Sequence, residues 1–157
     1  MTRITYICTG NVCRSPMAQY YTQKLANNSK NPNEYYIESA GIYAVEGEKA
    51  TENAINAMKK FDVNLQFHRA TSLKNSLIEQ ADYIVVMTAM HKKLLKELYP
   101  KLKEKIFTLK QLAYGNLEYI DVDDPWGYNS DIYVKTAEEI IRCIDIFFSN
   151  LKEKENE

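Results

Sequence analysis

The sequence predicts a small three-layer α/β/α domain, from three observations. Short apolar runs alternate with helical patterns along all 157 residues; no repeat, low-complexity tract or linker interrupts them; and the first run passes through a Gly-containing turn straight into a helical pattern. Strands separated by helices imply right-handed crossovers and a parallel sheet covered on both faces. Residues 1–157 therefore read as a single domain, of a size that buries roughly 70% of its unfolded surface and needs no staples.

Taken in order, the strands are read over Arg3 to Ile7, Tyr35 to Glu38, Asp82 to Met87 and Lys105 to Thr108, three of them rich in Ile, Val, Tyr or Phe. Between them lie helical faces. Met17, Tyr20, Tyr21 and Leu25 form the first; Ala54, Ile55, Met58 and Phe61 the second; Met90, Leu94, Leu95 and Leu98 the third, which Pro100 stops. The last helix is the longest. Asp131 is expected to cap it, and Tyr133, Ile140, Ile144, Phe147 and Leu151 recur at helical spacing up to the charged tail Lys152 to Glu157.

Charge and hydropathy exclude several functions. A net charge of -1 lacks the dense positive face that coats nucleic acid, and runs such as Ile84-Val85-Val86-Met87 fall far short of the roughly 20 residues of a membrane helix. The N-terminal residues show no secretory apolar stretch, and three cysteines suit a reducing compartment, so the expected location is the cytoplasm.

In a parallel α/β sheet ligands bind beyond the carboxyl ends of the strands. The turn after the first strand reads Cys8-Thr9-Gly10-Asn11-Val12-Cys13-Arg14-Ser15-Pro16. A strand-to-helix turn converges its backbone N–H groups on one point, with the positive helix end behind them. Gly10 suits a tight or left-handed conformation there, and Asn11 is the next best residue for one. Arg14 offers a planar fork matched to two phosphate oxygens. Cys8 sits at the mouth of this positive field, which favours its thiolate and makes it a nucleophile. On its own, Cys-x5-Arg is a weak signal; its place between strand and helix, together with Gly10, Asn11 and Ser15, makes it specific.

Cys8 to Met17 resembles the signature loop of the low-molecular-weight protein tyrosine phosphatases. Ser39-Ala40-Gly41 is similar to the family's second-strand motif, His68-Arg69-Ala70 to a loop that braces the site, Asp124-Pro125 to its general-acid loop, and Ala81 to His91 to bacterial members. The resemblance implies a four-stranded parallel sheet, no metal or cofactor, and hydrolysis of a phosphorylated protein through a phosphocysteine intermediate, with inorganic phosphate and other oxyanions as inhibitors. It implies Cys8 as nucleophile, Arg14 as phosphate clamp and Ser15 as the hydroxyl that steadies the thiolate. Thr9, Gly10, Asn11, Val12, Cys13 and Ser15 complete the phosphate-binding loop, and Asn11, Ser39 and His68 brace it. Cys13, five residues after Cys8, is within reach to trap an oxidised nucleophile as a disulfide, a role the resemblance supports. Cys143 falls among core residues.

A leaving alkoxide or phenolate needs a proton, and Asp121, Asp123 and Asp124 compete to give it. Asp124 is favoured because the residue before a proline is held extended, which fixes its carboxylate. Trp126 and Tyr128 are expected to wall the cleft, in a Trp-Gly-Tyr arrangement that departs from the paired tyrosines of many members. In the bacterial relatives an aliphatic residue at the position of Val12 accompanies phosphotyrosine activity, and threonine there accompanies phosphoarginine activity. Phosphotyrosine is thus the expected substrate, with phosphoarginine the alternative. A thiol-coupled arsenate reductase is disfavoured because no cysteine lies between Cys13 and Cys143 to relay a disulfide. A non-catalytic phosphoresidue-binding module would need none of Cys8, Ser15 and Asp124.

Overall fold

The computed structural model describes residues 1–155. Its four strands, β1 (Thr2–Cys8), β2 (Tyr35–Gly41), β3 (Tyr83–Val86) and β4 (Ile106–Thr108), form one parallel sheet in the order β2-β1-β3-β4. Every strand overlaps a predicted one: β1 and β2 extend beyond the predicted runs, whereas β3 and β4 are shorter than theirs. Ile4 to Cys8 are all buried because helices cover both faces of the sheet, which is why this strand is continuous in apolar character and does not alternate.

Five α-helices are found among the described residues: α1 (Arg14–Asn27), α2 (Glu52–Lys59), α3 (Ala89–Leu98), α4 (Leu109–Tyr114) and α5 (Ser130–Glu155). Ile4, Tyr6 and Cys8 point to the face packed by α1, α2, α4 and α5, where Met17, Met58, Leu109, Tyr133 and Ile140 meet them. Ile7, with Ile84, Val86 and Ile106, faces α3 through Leu95. The period of two along β1 thus sets Cys8 on the larger core's side, at the strand end.

Several expectations are corrected. The third helical face is narrower than its pattern suggested: Leu95 is buried and Leu94 half-buried, but Met90 and Leu98 are exposed, and His91 is buried in their stead. Asn129, not Asp131, caps α5, its side chain accepting the Ile132 N–H at 3.1 Å, while Asp131 sits in the first turn. The helix also runs on through Lys152 to Glu155; the rest of the predicted tail lies outside the described residues. α4 was not anticipated, its six residues being too few to display a period, although Thr108 and Gln111 form a capping box at its start.

The topology chooses the site. From β1 the chain first adds β2 on one side and then β3 on the other, so the crevice beyond the end of β1 is where the crossovers diverge. Cys8 is the last residue of β1, and α1 begins six residues later.

Candidate active site

The loop from Cys8 to Ser15 is turned inside out relative to an ordinary turn. Its carbonyl oxygens face the surrounding chain: Cys8 O accepts from Ile42 N–H at 3.0 Å, Thr9 O from Tyr43 N–H at 2.9 Å and Val12 O from Thr51 N–H at 3.0 Å. Asn11 O accepts from His68 Nε2 at 2.8 Å. In a trans peptide the next N–H points opposite to the carbonyl, so the N–H groups of Thr9, Gly10, Val12 and Cys13 are directed into the loop. α1 continues this array: no side chain caps its first turn, and no acidic residue occupies it. The result is a concave set of donors at a helix N-terminus, an anion cradle.

Asn11 holds the loop's shape. It takes the left-handed conformation at φ 56°, a role the sequence assigned first to Gly10, whose φ is not positive. Its side chain is buried and bonded on both ends. Oδ1 accepts the Thr71 N–H at 2.9 Å, which fixes the amide orientation, and Nδ2 then donates to Ser15 Oγ at 2.8 Å and Ser39 Oγ at 2.9 Å. Ser39 passes its own hydrogen to Gln19 Oε1 at 2.5 Å. Since Ser15 Oγ accepts from Asn11, its hydrogen is free for Cys8 Sγ, 2.8 Å away. Cys8 Sγ is thereby given a hydroxyl donor from within its own loop. His68 is buried, with Tyr20 edge-on to its ring; burial lowers its pKa, so it bonds the Asn11 carbonyl as a neutral ring through Nε2–H.

The glycine this arrangement requires is Gly41. A Cβ there would lie 2.6 Å from Thr9 O and 2.9 Å from Asn11 N, so only glycine lets the end of β2 press against the loop.

Arg14 is 4% exposed. Its Nη1 donates to Val122 O at 2.9 Å, and its Nη2 lies 3.6 Å from Asp124 Oδ2. The structure separates the three aspartates. Asp121 accepts the Ala89 N–H at the start of α3 at 2.7 Å, Asp123 accepts the Tyr119 hydroxyl, and Asp124 lines the cleft, its Oδ1 receiving Trp126 N–H at 3.1 Å.

The cleft has a volume of about 240 Å³ and is lined by Cys8, Thr9, Gly10, Val12, Cys13, Arg14, Glu48, Asp124 and Trp126. Tyr128, expected beside Trp126, does not line it; with Gly127 at φ 86° the chain turns away, and Tyr128 N–H bonds back to Pro125 O at 3.0 Å. Glu48 was not anticipated. The Cys13 thiol packs inward, 3.5 Å from both Thr51 Oγ1 and Tyr133 OH, and burial pushes its pKa up. His91 Nε2 lies 2.9 Å from Thr9 Oγ1, a contact that nothing local to the Thr88-Ala89-Met90-His91 run marks.

A braced anion cradle beyond a parallel sheet, with a thiol at its floor and a carboxylate across its mouth, defines a phosphatase of the cysteine-dependent class. The chain belongs to the low molecular weight phosphotyrosine protein phosphatase family, whose model matches residues 3–157. A protein-arginine-phosphatase of Geobacillus stearothermophilus is 36% identical over 143 residues, 91% of each chain. A probable low molecular weight protein-tyrosine-phosphatase, EpsP, of Ralstonia nicotianae is 31% identical over 150 residues, 95% of each chain. Among solved structures, a Cys-to-Ser mutant of the YwlE arginine phosphatase with its active-site serine phosphorylated superposes with a TM-score of 0.86 at 32% identity, covering 96% of each chain. Among the described residues, no helix is long and apolar enough to cross a membrane.

Proposed function

We propose that the chain hydrolyses protein phosphotyrosine, with Cys8 as nucleophile, Arg14 as clamp and Asp124 as general acid. The observation that carries this reading is the Cys8 Sγ to Ser15 Oγ bond of 2.8 Å inside a ring of inward N–H groups. The cradle and Arg14 hold the three non-bridging oxygens, and Cys8 thiolate attacks phosphorus opposite the ester oxygen. An S–P bond forms as the P–O bond breaks, and the protonated Asp124 gives its proton to the departing phenolate. Asp124, now a carboxylate, takes a proton from water; the water oxygen bonds to phosphorus and the S–P bond breaks. Inorganic phosphate leaves, and the Cys8 thiolate is restored under the Ser15 hydrogen bond. The product occupies the same cradle, so phosphate and other tetrahedral oxyanions compete with substrate.

Val12 and Trp126 supply the apolar walls that favour an aromatic ring. The second reading, phosphoarginine, is favoured by Glu48: a carboxylate in the wall suits a guanidinium better than a phenyl ring. The names of several relatives, protein-arginine-phosphatase among them, support keeping it. The unpaired thiols of Cys8, Cys13 and Cys143 support a cytoplasmic site of action.

The test is turnover of p-nitrophenyl phosphate without added metal, with rapid acid quench to trap a phosphoenzyme. The label is expected on Cys8 alone. Cys8→Ser should abolish turnover while phosphate still binds; activity within tenfold of the parent would defeat the covalent mechanism.

A further inference from the structure

His91 has no role in the chemistry above, yet it is buried against the back of the cradle. Thr88 Oγ1 accepts the His91 N–H at 3.1 Å as N-cap of α3, which fixes the ring in the helix's first turn. Nε2 lies 2.9 Å from Thr9 Oγ1, whereas Nδ1 is buried with no hydrogen-bond partner among the described residues. Burial, and then the nearby Arg14 charge, hold the pKa down to about 4, so the ring is neutral and carries one N–H. On Nδ1 that hydrogen would be a buried donor with no acceptor. On Nε2 it donates to Thr9, and Nδ1 keeps only a lone pair, which costs less to leave unpaired than a donor. The bonding pattern therefore assigns the Nε2–H tautomer.

Thr9 Oγ1 is then an acceptor, and its own hydrogen is unspent. Thr9 directly follows Cys8 and lines the cleft, and no other acceptor for its hydroxyl is found among the described residues. We propose that the Thr9 hydroxyl donates to the oxyanion held in the cradle, and that His91 is the positioning residue that commits it to this task. The proposal rests on the reading of the loop as a phosphate cradle. It adds one side-chain donor to the backbone array and gives the buried histidine a function exerted through Thr9.

Binding of inorganic phosphate, measured by titration calorimetry, tests it independently of turnover. Thr9→Val and His91→Phe are each expected to weaken phosphate binding by roughly 10- to 100-fold, the scale of one hydrogen bond to a charged group. His91→Gln keeps a donor near the Nε2 position and should restore most of the loss. The double variant Thr9→Val/His91→Phe should bind no more weakly than either single one, because the two act as a unit. Phosphate binding within twofold of the parent in Thr9→Val would overturn the proposal, as would losses that multiply in the double variant. If His91→Phe fails to fold, Thr9→Val and His91→Gln still decide. A parent protein that binds phosphate but does not hydrolyse p-nitrophenyl phosphate refutes the proposed function alone, and the titrations still judge the role of Thr9.

Discussion

Two loops face each other across the cleft and are built on opposite plans. The loop after β1 is buried over most of its length; the carbonyls of Cys8, Thr9, Asn11 and Val12, the Asn11 amide and the Ser15 hydroxyl are engaged, and one residue is held in the left-handed region. The loop between α4 and α5 is mostly exposed. It touches the body through Asp121, which accepts the Ala89 N–H, through Val122, whose N–H bonds Met87 O at 2.8 Å and whose carbonyl accepts from Arg14, and through buried Pro125, while Asp123, Trp126 and Tyr128 stand in solvent and exposed Asp124 reaches only toward Arg14. The difference fits what each would do in the proposed function. Donors aimed at a developing charge work only if they need no reorganisation, whereas a proton donor must close over leaving groups of different size.

The contrast can be broken at either loop, and the leaving group tells them apart. Asp124→Ala should lower kcat by a factor on the order of 10² to 10⁴ for phenyl phosphate, whose leaving group needs a proton, and far less for p-nitrophenyl phosphate. If Asp121→Ala or Asp123→Ala does this instead, the aspartate loop has been assigned to the wrong residue. Asn11→Ala removes the amide that ties Ser15, Ser39 and Thr71 together and puts a Cβ residue without compensation at φ 56°. Its expected cost is roughly 10- to 100-fold in kcat/KM, equal for the two substrates, because the cradle serves both.

Acid should also strike the two sides unequally. Histidine ionises near 6.5 in the unfolded chain, and His91 near 4 in the fold, because burial and then Arg14 disfavour its charge. Between those values the unfolded chain binds more protons. The stability contributed is therefore complete above about pH 6.5 and is lost as pH falls towards 4, on the order of 3 kcal/mol in all. His68, lowered mainly by burial, acts in the same direction. Urea melts at pH 7.5, 5.5 and 4.5 should show this loss, and His91→Gln should shrink it; an unchanged acid slope in that variant would mean His91 is not the titrating group. The smallest expected effect concerns the wall between the loops. Val12→Thr should raise kcat/KM for phosphoarginine relative to phosphotyrosine peptides several-fold, since threonine adds a hydroxyl at nearly constant shape. A parent that already prefers phosphoarginine peptides would reverse the substrate assignment and leave the phosphatase intact.

The same contrast governs how much the sequence disclosed. The strands and the Cys8 to Ser15 loop were legible because apolar runs and residue types encode them locally. So was the place of Asp124 at the cleft, through the proline after it. The glycine that matters for space, Gly41, was not distinguishable from Gly10, since its constraint comes from Thr9 and Asn11 across the sheet. Tyr128 was misplaced because the positive φ of Gly127 turns the chain just before it. Glu48 and His91 carry no local mark of their places; a loop bonded to Ala70 brings one to the cleft, and the first turn of α3 brings the other. The narrow buried stripe of α3 misled for the same reason: what the helix covers is decided by the sheet beneath it.

The outward carbonyls have a kinetic consequence. The four are held by three distant stretches of chain: the segment after β2, the residue that caps α2, and the turn bearing His68. No local fragment can assemble the loop, so its closure must wait for long-range contacts that carry the largest chain-entropy cost in folding. The reactive thiol thus acquires its surroundings only when most of the domain is in place, and a nascent or partly unfolded chain exposes an ordinary cysteine in place of an armed one.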